Sequence, residues 1–539
     1  MKLLFLVLVA TLLGAATLKG TGASHAEMPA EPALTERRVV SLAPDQSLTL
    51  DGTLLFDRVP GSGSLTLSIT QAGTLDLPAL VQALDRWPHG CAEQITSRGL
   101  PLLYLSSVAQ QAGLGDEPAI RARVRGAIRD VLANQSSSGG FGLWRPGGGD
   151  MWLDAYITDF LTRARAAGYE VPAQALGQAL DNLSNMLSYT TEARSDGPGI
   201  AYALYVLARN QRAAISDLRY YVDAALDDFA TPLAKAQLGA ALALYGEEER
   251  SSRAFAAAYA ELQGDGGADL QRSDYGSQLR DGAAVLTLAA ESGSRAAPLA
   301  ELLRLVSQSR EAARTTSTQE NAWLLLAAHS LLSDDSGIAL EIDGQAAAGN
   351  LVREFDAARL ERAPATVRNV SDRALDAVIT VAGVPEAARG AEADGFDITR
   401  SYFTMDGTPA DPSVVAQNER LVVVLTGREH HDWPSQVLVV DMLPAGFEID
   451  NPSLVASGDV GELDWLGDTS PSHVEFRDDR FAAAFERGAG AEREFTLAYV
   501  VRAVSPGAFV HPPATVEDMY RPHLSARTAA SRVEVLGPR

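Results

Sequence analysis

Cys91 is the single cysteine of the 539-residue chain, and a glutamine, Gln94, stands three positions after it. Residues three apart share one face of a helix. If a helix begins at Cys91 or Ala92, the thiol and the Gln94 carboxamide meet on its first turn. Free backbone N–H groups at such a start favour a thiolate. A thiolate beside a carboxamide can attack its carbon, expel ammonia and leave an internal thioester. The acyl carbon of a thioester is far more electrophilic than that of an amide, so the bond stores reactivity. Water would hydrolyse it, which demands a closed, apolar site. Once opened, an amine or hydroxyl of another molecule would take the Gln94 acyl group, and the Cys91 thiol would be released. Each molecule could do this once. Gly90, Glu93 and His89 flank the pair as supporting residues: Gly90, with Pro88, breaks the preceding helix, Glu93 caps the new one, and His89 could serve as a base. A turn residue packed on Trp87 is the plainer account of His89. The tetrapeptide alone also fits a buried cysteine beside a surface glutamine that never react.

The elements that would hold these residues follow from hydrophobic period. Residues 37–75 read as strands: Val39, Val40, Leu42, Leu48 and Leu50, then Leu54, Leu55 and Phe56, then a period-two run from Ser64 to Ile69. From Asp76 the period becomes helical. Twelve candidate helices run over 77–86, 92–108, 114–134, 152–166, 171–187, 198–210, 213–227, 231–245, 250–261, 279–291, 293–307 and 319–331. Gly-bearing loops precede several of them, as in Gly139-Gly140-Phe141-Gly142-Leu143-Trp144, which suits stacked helical pairs. Strand patterns return past about 340, with Val378–Val381, Arg420–Leu425 and Gln436–Asp441 as the clearest, and predict a β-sandwich. Tyr104, Trp144, Trp152 and Tyr156 are aromatic candidates for shielding the thioester, with ordinary core packing as the alternative for each.

Composition narrows the functional classes. The net charge of −24 is spread along the chain and opposes nucleic acid as the main partner, because phosphate binding draws on Lys/Arg patches. Lys2, the apolar run Leu3–Ala15 and the small residues of Ser24-His25-Ala26 predict a signal peptide over 1–26, followed by a Pro/Glu/Ala-rich linker over 27–36. The run is too short to span a bilayer. The expected location is the periplasm or the exterior. One cysteine permits no internal disulfide, and an unpaired thiol in an exported protein calls for a reason. His430-His431-Asp432 lacks further ligands at metal spacing and reads as a polar turn, so neither a metal nor a cofactor is expected. Gly147-Gly148-Gly149 lacks the Lys-Ser/Thr tail of a phosphate loop. No Gly-x-Ser-x-Gly segment supports hydrolase chemistry. No histidine lies between Gln94 and His329 to steer the acyl group towards hydroxyls, so amines are the expected acceptors.

Gly90-Cys91-Ala92-Glu93-Gln94 with Thr96-Ser97-Arg98 resembles the thioester segment of the bacterial α2-macroglobulin family. Further stretches are similar to the same family, among them Gly139–Trp144, Ser317–Trp323, Leu443–Ile449 and the cluster Pro512-Pro513, Glu517, Met519-Tyr520. The resemblance covers about 37–537. It implies an α/α-toroid thioester domain over 76–344, inserted in a small CUB-like β domain whose halves are 37–75 and 345–385. A macroglobulin-like β-sandwich over 386–537 would follow. The implied activity is that of a protease inhibitor or defence component, not an enzyme. It would couple covalently to proteases or surface proteins with accessible amines. The string of β domains and the bait region that precede the thioester domain in that family are not in this sequence. A separately encoded, bait-bearing N-terminal partner would supply them. A non-reactive binding or structural module, and a truncated remnant of a larger macroglobulin, remain the alternative readings.

Overall fold

The structure, a computed structural model, describes residues 34–86, 90–111, 113–190, 192–264, 272, 274–332, 337–387, 389–450 and 470–538. The segment expected to be a signal peptide, most of the linker after it, and Trp87, Pro88 and His89 lie outside the described residues.

Two strand groups flank a helical region. The first is built from both sides of it: β1 (Leu34–Leu42), β2 (Ser47–Leu50) and β3 (Ser64–Ile69) come before the helices, and β4 (Ala339–Ile342), β5 (Gln345–Ala348), β6 (Leu351–Asp356), β7 (Ala365–Asn369) and β8 (Leu375–Gly383) come after. They form two four-stranded antiparallel sheets, ordered β1-β8-β3-β6 and β2-β7-β4-β5. Strand β8 is an almost continuous apolar run and sits between β1 and β3, where both of its edges are paired. One cluster containing Leu42, Leu50, Leu67, Phe355, Val367 and Ile379 fills the space between the sheets. Leu54 and Leu55 form a short 3-10 turn rather than a strand, because the Asp51 side chain caps it by accepting from the Thr53 N–H at 3.0 Å.

Between β3 and β4 run α1 (Leu77–Arg86), α2 (Ala92–Leu102), α3 (Ser106–Gln111), α4 (Glu117–Ala133), α5 (Met151–Ala166), α6 (Ala173–Tyr189), α7 (Ala193–Arg209), α8 (Ile215–Ala224), α9 (Pro232–Leu244), α10 (Glu248–Gln263), α11 (Gln278–Glu291), α12 (Leu299–Ala312) and α13 (Thr318–Leu331). That is thirteen among the described residues, against the twelve expected. The difference is one break: the expected helix 92–108 stops at Leu102 and resumes at Ser106. Eleven of these helices are of two kinds. α2, α5, α7, α9, α11 and α13 are buried along most of their length. α4, α6, α8, α10 and α12 bury one stripe and expose the rest. The buried six touch in order, α2 on α5, α5 on α7, α7 on α9, α9 on α11, α11 on α13, and α13 again on α2.

The second strand group holds β9 (Glu392–Asp394), β10 (Phe396–Phe403), β11 (Val414–Ala416), β12 (Arg420–Glu429), β13 (Ser435–Met442), β14 (Phe447–Ile449), β15 (His473–Phe476), β16 (Arg480–Arg487), β17 (Glu494–Ala503), β18 (Gly507–His511), β19 (Ala514–Asp518), β20 (Arg521–Arg527) and β21 (Ser531–Leu536). Its sheets are ordered β10-β12-β17-β14, β15-β16-β13-β19-β20-β9 and β11-β21-β18. Alternation along β12, β13, β16 and β17 sends one face into a core with Val423, Val439, Phe481 and Tyr499. The opposite face of β13 and β16 carries Leu438 and Ala484, which pack with Met519, Tyr520, Trp144 and Tyr275. Through these six residues the C-terminal strands sit on the helical region.

Candidate functional site

Cys91 is the N-cap of α2: its backbone is extended, and its Sγ accepts the Gln94 N–H at 3.5 Å. Both side chains are fully buried. The Gln94 Nε2 donates to Met519 Sδ at 3.5 Å, and its Oε1 has no hydrogen-bond partner among the described residues. A loop clamps this first turn, since the Ala92 N–H donates to the Leu143 carbonyl at 2.7 Å. Gly139 opens the loop with φ +95, and a Cβ there would meet the Gln178 carbonyl oxygen at 2.1 Å, so only glycine fits. Asp154 of α5 fastens the loop from beneath, accepting from Phe141 N at 2.6 Å and Asn182 Nδ2 at 2.8 Å.

Burial raises the Asp154 carboxyl to about 7 against the pull of the Phe141 N–H and Asn182. Its folded value thus lies above the ordinary carboxylate value of about 4, and the folded state binds the extra proton. Stability should fall as pH rises from about 4 to about 7. Asp154→Asn keeps the acceptor for Phe141 and cannot ionise. Its melting temperature should match the wild type near pH 4 and exceed it at pH 8. An equal difference at both pH values would refute this.

Glu93 does not cap its own helix; Cys91 does. The Glu93 side chain points into the interior and is fully buried. It accepts from Ser97 Oγ at 2.5 Å, Gln319 Nε2 at 2.6 Å, Thr318 Oγ1 at 2.9 Å and Tyr520 OH at 3.0 Å. These donors join α2, α13 and the C-terminal strands around one carboxylate. Burial pushes its pKa up, partly offset by the Ser97 and Gln319 donors. The Cys91 thiol is also pushed well up, first by burial and then by the nearby Glu93 charge. The helix start does not yield a resting thiolate here: desolvation outweighs the free N–H groups.

Of the aromatic residues singled out in the sequence, Trp144 lies at the seam, stacked on His473 at 4.4 Å and packed with Met519 and Tyr520. Tyr156 reaches the site through its hydroxyl, 2.8 Å from Ser97 Oγ. Trp152 packs on Tyr156 and on Tyr275. Tyr104 goes elsewhere and stacks on His329 at 5.0 Å. Gly90 is exposed just before the cap.

Met519, Tyr520 and Tyr275 are contacts that no sequence pattern around Cys91 indicates. Tyr275 packs edge-on against Tyr520 at 4.8 Å and donates to Asp150 Oδ2 at 2.5 Å. Its loop rests on a buried ion cluster. Arg280 donates to Asp281 Oδ1 and to Asp274 Oδ2, each at 2.7 Å, and Arg272 pairs with the same two carboxylates. The Arg280 guanidinium also lies over the Trp152 ring at 5.2 Å. Chemically the site offers a buried thiol, a buried carboxamide and a buried carboxylate held by four neutral hydrogen-bond donors. Among the described residues no group of His, Cys, Asp and Glu could hold a metal.

The family model described as the Bacterial Alpha-2-macroglobulin MG10 domain matches residues 395–523. An alpha-2-macroglobulin of Xylella fastidiosa is 31% identical over 526 residues, covering 91% of this chain and 32% of the relative. That of Escherichia coli K12 is 31% identical over 544 residues, covering 95% and 32%. The chain therefore spans about a third of the length of the curated relatives it matches. Among solved structures, native alpha-2-macroglobulin from Escherichia coli, spanning domain MG7 to the C-terminus, superposes with a TM-score of 0.82 at 30% identity. That match covers 94% of this chain and 82% of the other. Sequence identity and superposition hold over nearly the whole chain, with the buried Cys91–Gln94 turn inside the matched length, and this chain belongs to the bacterial alpha-2-macroglobulin family.

Proposed function

We propose that this chain is the reactive portion of an alpha-2-macroglobulin-type protease inhibitor. A thioester between Cys91 and Gln94 transfers the Gln94 acyl group once to an amine of a protease or another target protein. The observation that carries this reading is the joint burial of thiol and carboxamide on one helical turn, covered by Met519 and Tyr520 from a separate part of the chain. A cover that can lift away is what a stored electrophile requires. The cyclic order of contacts among α2, α5, α7, α9, α11 and α13 supports an α/α toroid. The two faces of the C-terminal strand group support a β-sandwich. Export to the periplasm or beyond, and completion by a bait-bearing N-terminal partner, belong to the same proposal.

Closing the thioester expels one ammonia, so freshly purified protein should be lighter by about 17 Da than its sequence requires. Methylamine should add to Gln94 and expose the Cys91 thiol. Cys91→Ala should show the full mass and take up no methylamine. A wild type whose Cys91 labels at once with a thiol reagent, and whose Gln94 keeps its amide, would leave the reading without support.

A further inference from the structure

A cavity of about 240 Å3 opens on the seam between the helical region and the C-terminal strands. Tyr275 and Tyr520 line its inner end, packed edge-on at 4.8 Å, and the Tyr520 hydroxyl reaches on to Glu93 at 3.0 Å. Glu486 of β16 lines it too and is exposed, so it marks the mouth. Register sets Glu486 opposite Gln436 of β13, on the face whose Leu438 and Ala484 meet the helices. The charges of this cavity do not cancel. Three guanidiniums line it, and each has a carboxylate: Arg272 holds Asp274 and Asp281, Arg521 holds Asp518 at 2.9 Å, and Arg487 lies 3.6 Å from Glu429. Asp150 and Glu486 form no ion pair among the described residues; Asp150 accepts from the neutral Tyr275 hydroxyl and the Leu153 N–H. On the β13 side, Ser435 is only 4% exposed. Its Oγ and the Gln436 Oε1 are buried with no hydrogen-bond partner among the described residues. Acceptors are to spare, and no cation is. Burial pushes the Asp150 and Glu486 carboxyls up, and a cation beside them would bring both down again. A small cation with several N–H donors and a short apolar stem meets all of these needs.

We propose that this cavity docks the acceptor as an alkylammonium, the end of a lysine side chain of the target, and that Asp150 and Glu486 select the charged amine. The inference rests on the thioester reading above. Docked there, the ammonium lies against Tyr520, which covers the Cys91–Gln94 turn, and is the first group to reach Gln94 when the seam opens. On transfer the ammonium sheds one proton to water, its nitrogen bonds Cδ of Gln94 and the Cδ–Sγ bond breaks. Sulfur leaves with the electron pair and takes the second amine proton, which restores the Cys91 thiol. An uncharged nucleophile gains little from the two carboxylates.

The test compares two small nucleophiles on the full chain at pH 8: methylamine, which is cationic there, and hydroxylamine, which is not. Thiol release from Cys91 is followed with a chromogenic disulfide. In the double variant Asp150→Asn, Glu486→Gln, the ratio of the methylamine rate to the hydroxylamine rate should fall on the order of tenfold, the gain that a charged cleft gives to a counter-ion. Added sodium chloride should lower the same ratio in the wild type and leave it flat in the variant. Taking the ratio cancels any change in how often the seam opens, because opening serves both nucleophiles alike. Should the double variant not fold, Glu486→Gln alone, at an exposed side chain, should lower the ratio about threefold. An unchanged ratio, or one that salt does not move in the wild type, overturns the docking site. A wild type that shows no mass deficit, and from which hydroxylamine releases no thiol, overturns the thioester reading itself.

Discussion

Met519→Ala should release the Cys91 thiol to methylamine about thirtyfold faster than the wild type. Met519 is buried at the seam and its sulfur lies on the Gln94 nitrogen. Its thioether fills the space between Leu438, Trp144 and the first turn of α2. Truncating a buried methionine costs about 2 kcal/mol or more in lost packing. Here that packing joins the C-terminal strands to the helices, so the loss falls on the docking equilibrium. A change of about 2 kcal/mol multiplies the lifted fraction roughly thirtyfold. The rate can be read with a chromogenic disulfide while methylamine is present. Thermal unfolding of the helical region should move far less. An unchanged rate would mean that small amines reach Gln94 by a route that does not pass Met519.

The second large effect is on stability. Arg280→Met should cost about 3–5 kcal/mol, because it leaves a buried carboxylate pair facing one guanidinium instead of two. Arg280, Asp281 and Asp274 are all buried. Burial alone would raise the Asp274 carboxyl, but Arg280 and Arg272 reverse this and hold it well below the usual range. A depressed carboxylate contributes stability that is present above its unfolded value, near pH 4, and lost as pH falls through the folded one. The variant should therefore show its full deficit at neutral pH and a shrinking one below about pH 4, where its own Asp274 can take a proton. Chemical denaturation at pH 7 and at about pH 3 tests this. A deficit independent of pH would point to lost packing on Trp152 instead. Because the cluster carries the Tyr275 loop, the variant's thiol should also react faster with methylamine.

Much of the helical region was legible in the sequence, because its period is local. The errors came where local rules competed. The expected helix 293–307 is found at Leu299–Ala312, since Pro298 is best placed just ahead of a helix, where no N–H is needed. The expected helix 92–108 carries Pro101 near its end and breaks after Leu102. Cys91 and Gln94 were legible for the same reason of locality. What surrounds them was not. Glu93 meets Thr318, Gln319 and Tyr520 across separations of 225, 226 and 427 residues, and neither spacing nor periodicity carries such distances. Tyr104 is near Cys91 in sequence, but it follows the end of α2 at Leu102 and stacks on His329 instead.

The antiparallel pairing of β1 with β8 places Leu34 opposite Gly383 and Leu42 opposite Leu375. The stretch of chain entering at Leu34 and the stretch leaving after Gly383 towards the C-terminal strands thus emerge at the same end of this ribbon. Tension applied between them meets the ribbon like the two tabs of a zipper and parts its backbone hydrogen bonds pair by pair from Leu34 inwards. The helices hang from the other strands of these sheets, behind the zipper. A mechanical pull is spent in this small domain first, and α2 with its Cys91 turn carries load only after the ribbon has opened.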